Sequence, residues 1–167
     1  MNPTALRIAL VAPVAQRVPP NRSGSIETVT ALLADGLVAR GHAVTLFATG
    51  PSLTTATLHA TFSKGYNDDS SLWPWELCEL LNLAAAVERA DRFDVIHYQA
   101  EYSPMALAYD RISPAPVLQT LHHTPTAQEI ALWTRYPDAP FVAVSEAQAD
   151  RLSGLNVVAT IHHSLDI

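Results

Sequence analysis

The stretch LRIALVAPVAQRVPPNRSGSIE, from Leu6 to Glu27, decides the fold of this chain. It opens on a short apolar run up to Val11, which is typical of a strand buried on both faces of a parallel sheet. An irregular segment follows Pro13, and from Ile26 apolar residues recur at helical spacing up to Arg40. The stretch therefore predicts a strand, a loop and a helix, the first step of an α/β domain.

The junction between this loop and the helix is a candidate phosphate site. A helix start carries unpaired amides and a partial positive charge, and a small residue there lets a ligand approach the backbone. Gly24 supplies the small residue, and Glu27 has the spacing of a capping-box acid. A single glycine is weak support, so the alternative stays open that Gly24 only makes the turn and Glu27 only caps the helix.

The remainder of the chain continues the alternation of strands and helices. The sequence predicts helices that begin near Ser71, Ser103, Thr126 and Ser145, the last of them running to Gly154. It predicts further strands at Ala43–Thr49, Val95–Tyr98, Pro114–Thr120, Phe141–Ser145 and Val157–His163, with a weaker strand signal before Lys64. This order predicts a mainly parallel sheet covered by helices on both faces, in one domain over residues 1–167.

Composition excludes several classes of protein. The 167 residues are 49% hydrophobic and 16% charged, which indicates a globular chain rather than a disordered one. Ten basic and sixteen acidic side chains give a net charge of −6 without a basic cluster, so nucleic acid is not an expected partner. The sequence has no apolar run of ~20 residues and no leader pattern, and we expect a cytoplasmic protein without a transmembrane segment. Cys78, the only cysteine, is expected to be a buried, inert thiol.

Polar residues gather at the predicted carboxyl ends of the strands, where open α/β sheets bind their ligands. Five of the seven histidines fall there, although a role in loop hydrogen bonding is the alternative for any single one. These strand-end residues are His97, His122, His123, Ser145, His162 and His163.

Three other kinds of site are disfavoured. The histidines form no His-x-His or helical i, i+4 pair, so we expect no metal centre, and a metal-dependent hydrolase is only a third hypothesis. The first loop lacks GxGxxG, which argues against nucleotide-dependent oxidoreduction. Ser145 lacks the GxSxG elbow of a hydrolase nucleophile.

Taken in order, these segments resemble the N-terminal domain of glycosyltransferase family 4, whose enzymes have the GT-B fold. RIALVAP and SGSIETVTALLADGLVARGHAVTLFAT are similar to the opening strand, the Gly-Gly-x-Glu loop, the first helix and the second strand of that family. FDVIHYQ, PVLQTLH, FVAVSEAQ and VVATIHHSLDI are similar to the signatures that follow, and Pro51–Trp75 is the least matched part. The resemblance implies an α/β fold with a Rossmann-like, mainly parallel sheet and helices on both faces, the N-terminal half of a GT-B fold.

The resemblance also implies a reaction and a set of site residues. Such enzymes move a sugar from a nucleotide-sugar donor to an acceptor hydroxyl, on a small molecule or glycan, with retention of configuration and usually without a bound metal or cofactor. Gly24 and Ser25 would face the donor diphosphate, Glu27 would hold that loop, and His122 would be the catalytic residue that touches the transferred sugar. The acceptor cleft would be lined by His97, Gln99, Glu101 and Tyr102, with Arg17 and Asn21 from the first loop.

Four positions depart from the family's pattern. Ser25, His123 and Ser164 stand where glycines are common, and Gln99 stands where a second histidine is frequent. Each replaces a smaller or different group where a ligand should come close. The alternative hypothesis is therefore a non-catalytic binding or scaffolding module with the same fold.

Family members work in a cleft between two domains. The resemblance implies that residues 1–167 form the acceptor-side domain and that the donor-binding C-terminal domain is absent from this chain. We expect the isolated chain to be inactive and to need that domain in cis or in trans. An exposed interdomain face would also allow a dimer.

Overall fold

The computed structural model describes residues 4–101 and 103–163, in which strands and helices alternate as the sequence predicts. A single 3-10 turn, Ala90–Arg92, precedes the fourth strand. The strands and helices, in chain order, are β1 (Arg7–Val11), α1 (Ser25–Ala39), β2 (Ala43–Thr49), β3 (Thr57–Phe62), α2 (Trp75–Val87), β4 (Val95–Tyr98), α3 (Ser103–Asp110), β5 (Val117–Leu121), α4 (Ala127–Trp133), β6 (Pro140–Ala143), α5 (Glu146–Ala149) and β7 (Asn156–Thr160).

The strands form one sheet in the order β3-β2-β1-β4-β5-β6-β7. Every neighbouring pair is parallel, which confirms the predicted Rossmann-like α/β fold. From β1 the chain builds the sheet toward β3 and then returns to the other side of β1 to add β4. The carboxyl ends of β1 and β4 therefore flank the point at which the strand order reverses, where open α/β sheets bind ligands.

Helices cover both faces of the sheet, as predicted. Ile8 and Leu10 of β1 pack with apolar residues of α1, whereas Ala9 and Val11 point to the other face and pack with α2 and α3. Leu121 of β5 lies on that second face, in a core that includes residues of α4 and α5. Alternation along buried strands thus sends neighbouring side chains into separate cores.

Several element boundaries differ from the sequence prediction. The second helix begins at Trp75, after the N-cap residue Pro74, because a proline inside the helix would remove a backbone hydrogen bond. Before it, the Asp69 carboxylate accepts from the amide and hydroxyl of Ser71 and holds residues 69–71 in a turn. The helix that starts after Ser145 has only four residues, and turns occupy the chain from there to Gly154. The capping box of Thr126 and Glu129 is confirmed. Within the described ranges, none of the helices is long and apolar enough to cross a membrane.

Candidate functional site

The loop between β1 and α1 is tethered to three other parts of the molecule. The Val14 amide donates to Glu79 Oε1 of α2 at 2.9 Å, and the Val18 amide donates to Ser52 Oγ at 2.9 Å. The Tyr66 amide donates to the Val14 carbonyl at 3.1 Å. Because these bonds come from α2 and from the segments after β2 and β3, they hold the loop at the carboxyl edge of the sheet.

The start of α1 differs from the predicted capping box. Gly24 is the N-cap residue, and no side chain of the described residues caps the helix there, because glycine has no oxygen to offer. The prediction that Glu27 is a capping-box acid is therefore wrong. Glu27 is buried, and a Cβ on Gly24 would lie 2.6 Å from its Oε2 and 2.5 Å from Gln16 Nε2. Gly24 thus makes room for side chains of the protein itself, while Ser25 is exposed at the first turn.

Four polar side chains form a connected cluster at the ends of β4 and β5. We call His97, Gln99, Thr120 and His122 the polar cluster. His97 Nε2 lies 2.8 Å from Thr120 Oγ1 and 2.8 Å from Gln99 Nε2. Gln99 Oε1 lies 2.9 Å from His122 Nε2. The parallel pairing of His97 with Leu118 puts alternate residues of both strands on one face, so these side chains meet.

The orientation of the Gln99 amide determines which nitrogen carries the proton in each neutral imidazole. Its nitrogen donates to His97 Nε2, so a neutral His97 carries its proton on Nδ1. Its oxygen accepts from His122 Nε2–H, which leaves a lone pair on His122 Nδ1. That Nδ1 atom is buried and has no hydrogen-bond partner among the described residues. It is therefore an acceptor without a donor in the described part of the protein.

Both imidazoles are neutral at physiological pH. Burial lowers the pKa of His97 to about 4, and the neighbouring His122 lowers it further. Burial also lowers the pKa of His122 to about 4, with smaller contributions from His163 and His123. His122 therefore offers a ligand a lone pair rather than a positive charge.

A cavity of about 300 Å³ lies beside the polar cluster, between α1 and the sheet. Its walls include His97, Gln99 and Thr120 from the cluster, with His163 and apolar residues of α1. The rings of His122 and His163 stand 5.1 Å apart at 35°. Three of the four members of the polar cluster thus border a space that a small ligand group can enter, and His122 lies behind them, bonded to Gln99.

The predicted site residues fall into three groups. His97, Gln99 and His122 meet in the polar cluster, and Gly24, Ser25 and Glu27 lie together at the start of α1. Arg17 and Asn21 form a third group, in which Arg17 Nη1 donates to Asn21 Oδ1 at 3.0 Å. Glu101 is exposed just after β4, and Tyr102 lies outside the described residues.

Other strand-end residues have structural contacts. The carbonyl of His123 accepts from Gln148 Nε2 at 2.8 Å, and Ser145 Oγ accepts from the Gln148 amide at 3.1 Å as the cap of α5. His162 lines the cavity. No three metal-ligating side chains converge anywhere in residues 4–101 and 103–163.

Two buried polar residues of α2 were missed by the sequence analysis. Asn82 Nδ2 donates to the carbonyls of Ala12 at 3.0 Å and Phe47 at 3.2 Å, and so joins the ends of β1 and β2. Glu79 is only 2% exposed, and burial raises its pKa to about 7. The sequence does carry a signal for both residues, because Glu79 and Asn82 share a helix face with Leu83 and Ala86. A polar side chain on such a buried face needs a hydrogen-bond partner.

Comparison with known proteins decides the family. The family described as Glycosyltransferase Family 4 matches residues 26–166. The chain belongs to glycosyltransferase family 4. This match includes the whole polar cluster and begins two residues after Gly24.

The fold of this family 4 chain is also similar to a solved structure, the crystal structure of a glycosyltransferase from Rickettsia africae ESF-5. The TM-score is 0.57 at 15% identity, over 90% of this chain and 39% of the other. At that identity the likeness shows the fold alone, and the chain spans about two fifths of the length of that structure. A search of curated proteins found no match.

Proposed function

We propose that this chain is the acceptor-side domain of a retaining glycosyltransferase, which moves a sugar from a nucleotide-sugar donor to an acceptor hydroxyl. Family membership supports the reaction class, and the polar cluster supports the location. The observation that carries the proposal is the buried, unpartnered Nδ1 of His122 at the carboxyl ends of the strands. A neutral imidazole nitrogen accepts a hydrogen bond from a sugar hydroxyl without adding a charge.

In this proposal the start of α1 receives the donor diphosphate. Gly24 and Ser25 present amides that no side chain of the described residues caps, at the positive end of the helix dipole. As the bond to the sugar breaks, the nucleoside diphosphate gains negative charge, which such amides stabilise. Glu27, buried against Gly24, holds the loop in place.

His122 is the proposed catalytic residue, because its free Nδ1 would contact the transferred sugar. The amide of Gln99 is already bonded to His97 and His122, so Gln99 would act on substrates chiefly by holding these rings. The remaining acceptor contacts in the proposal are His97, Glu101 and Tyr102, with Arg17 and Asn21 from the first loop.

A second domain is part of the proposal. The donor-binding half of the site would come from a C-terminal domain in cis or from a partner in trans, with no resident cofactor. We also propose a cytoplasmic location, and a dimer through the interdomain face when that domain is missing.

Complementation tests this division of labour. We expect the isolated chain to release no nucleoside diphosphate from UDP-glucose, UDP-N-acetylglucosamine or GDP-mannose at enzymatic rates, on the order of 1 to 10³ per second. Fusion to the donor-binding domain of a family 4 enzyme should restore transfer with retention, as read by NMR of the product anomer. Enzymatic turnover by the isolated chain, or an inverted product, would contradict the proposal.

A non-catalytic module is the second candidate, and one observation favours it. The space beside Gly24 is already filled by Gln16 and Glu27, which leaves the backbone less open to a diphosphate than the sequence suggested. Fusions that bind a nucleotide-sugar and never turn it over would support this candidate.

A further inference from the structure

A second pocket, of about 330 Å³, lies between the first loop and the segment after β3 and shares no residue with the cavity beside the polar cluster. Its lining residues are all polar or charged, and they carry two positive charges against one negative charge, in a protein whose net charge is −6. The lining residues are Gln16, Arg17, Asn21, Arg22 and Asp68.

Arg17 is a half-buried residue of this pocket, and one of its N–H groups has no hydrogen-bond partner among the described residues. Its Nη1 donates to Asn21 Oδ1 at 3.0 Å, whereas its Nε is buried and has no partner among the described residues. The ion pairs of the described residues involve Arg7 and Arg89, so neither Arg17 nor Arg22 is paired with a carboxylate there. A guanidinium with a free N–H, removed from water, fits an oxyanion.

The backbone holds this pocket in a fixed shape. The Asn67 amide donates to the Ala15 carbonyl at 3.0 Å, next to Asp68, and the Leu53 amide donates to the Val18 carbonyl at 2.7 Å. Gly65 packs so closely on Ala15 that an added Cβ would collide with its carbonyl. The main chain at Arg17 is therefore held by backbone bonds on both sides, and the bond to Asn21 orients its side chain.

We propose that this pocket binds an acidic group, a phosphate or a carboxylate, carried by the acceptor, so that the acceptor substrate is an anion. The inference rests on the proposed function, since it names the class of the acceptor. The donor diphosphate is the other source of the same chemistry. Gln16 lines the pocket and its Nε2 also lies beside Gly24, so this side chain adjoins both the pocket and the start of α1, where the diphosphate is expected.

The position of the pocket also favours the acceptor. The loop around Arg17 is bonded to the segments after β2 and β3, whereas His122 follows β5. In the observed strand order, β2 and β5 are three strand spacings apart, about 14 Å. The loop that lines the pocket is thus bonded on the β2 side of the sheet and His122 lies on the β5 side, an arrangement that suits a recognition group of the acceptor.

NMR tests the pocket without any activity. Because Arg17 Nε is buried, its N–H should give a resolved signal, and titration with inorganic phosphate should shift that signal to saturation. Arg17→Gln should abolish saturable phosphate binding, and Arg151→Gln, at an exposed arginine, should not. An Arg17 signal that phosphate does not move would overturn the proposal.

Kinetics of the two-domain fusion distinguish the two sources of the acid. With glucose 6-phosphate and glucose as paired acceptors, Arg17→Gln should lower kcat/KM for the phosphorylated sugar roughly tenfold more than for glucose, as expected for one charge-assisted hydrogen bond. An equal loss for both acceptors would assign the pocket to the donor diphosphate and refute the inference. Absence of transfer to any acceptor would refute the proposed function, and the phosphate titration would still decide whether the pocket binds an acid.

Discussion

Replacing Glu79 by glutamine should change how the stability of this fold depends on pH. Glu79 is 2% exposed, and its Oε1 accepts from the Val14 amide at 2.9 Å. Burial raises its pKa from 4.5 to about 7, against the opposing effects of the Val14 amide and the Tyr66 side chain. The folded protein therefore keeps a proton on Glu79 over a pH range in which the unfolded chain has lost it.

Proton linkage gives the sign and size of the pH effect on the free energy of unfolding. Between pH 4.5 and about 7 the folded state binds one more proton at Glu79 than the unfolded state does, so stability falls as the pH rises. At ~1.4 kcal/mol per pKa unit, the loss is roughly 3 kcal/mol and is complete above pH 7. His97 and His122 act in the opposite sense, since their pKa values fall from 6.5 to about 4 and their contribution to stability grows as the pH rises through that range.

Glutamine keeps the shape of the side chain and an oxygen for the Val14 amide, but it does not titrate. We expect Glu79→Gln and the wild type to have similar free energies of unfolding at pH 4.5, and the variant to be more stable by roughly 3 kcal/mol at pH 8. Urea denaturation followed by circular dichroism at several pH values measures this difference. Glu88→Gln, at an exposed carboxylate that ends the same helix, is the matched control.

Two results would refute this reasoning. A stability difference between Glu79→Gln and the wild type that does not change with pH would mean that Glu79 does not hold its proton in the folded state. A loss of stability at pH 8 would mean that the buried carboxylate makes contacts that glutamine cannot replace.

Two further substitutions, with a third in α1 for comparison, test the polar cluster and the packing of the first loop. Gln99→Leu removes the acceptor of His122 Nε2–H, so the His122 ring should change from one tautomer to a mixture of two. Imidazole ¹⁵N spectra at pH 7 measure the tautomers. An unchanged spectrum would contradict the role of Gln99. Gly65→Ala drives a Cβ into the carbonyl of Ala15, where no flexible side chain can yield, and should lower the free energy of unfolding by about 1–3 kcal/mol in urea. Gly36→Ala, whose Cβ meets only the Arg40 guanidinium at 3.5 Å, should instead stabilise α1 by up to about 1 kcal/mol; equal effects at the two glycines would contradict the packing argument.

The sequence predicts the architecture well because buried parallel strands have a simple signature. Apolar runs such as those in β1 and β2 need no tertiary information, and the alternation with helices then requires crossovers. The short α5 was overestimated because Ser145 caps a helix as predicted, but periodicity does not show that turns take over after Ala149. The strand order comes from long-range pairing, which local patterns do not specify.

The candidate site could be predicted only in part. The meeting of His97, Gln99 and His122 was foreseeable, because residues that end neighbouring parallel strands lie at one edge of the sheet. The tautomers and low pKa values depend on burial and on one amide orientation, which a sequence does not encode locally. Glu79 does not stand out in the sequence because it occupies a position in the apolar periodicity of α2. The spacing of Glu27 predicts a capping box, but the N-cap residue is glycine, which has no side chain to complete one.

The most direct test of the central claim measures nucleoside diphosphate release by the two-domain fusion carrying His122→Ala, with His123→Ala as the control. The account predicts that loss of the His122 ring lowers kcat roughly tenfold to a hundredfold, the effect of one hydrogen bond to the reacting sugar. The neighbouring substitution should have a much smaller effect, because the described bond of His123 uses its backbone carbonyl. Equal rates for His122→Ala and the wild-type fusion would contradict the claim that the free Nδ1 of His122 serves glycosyl transfer.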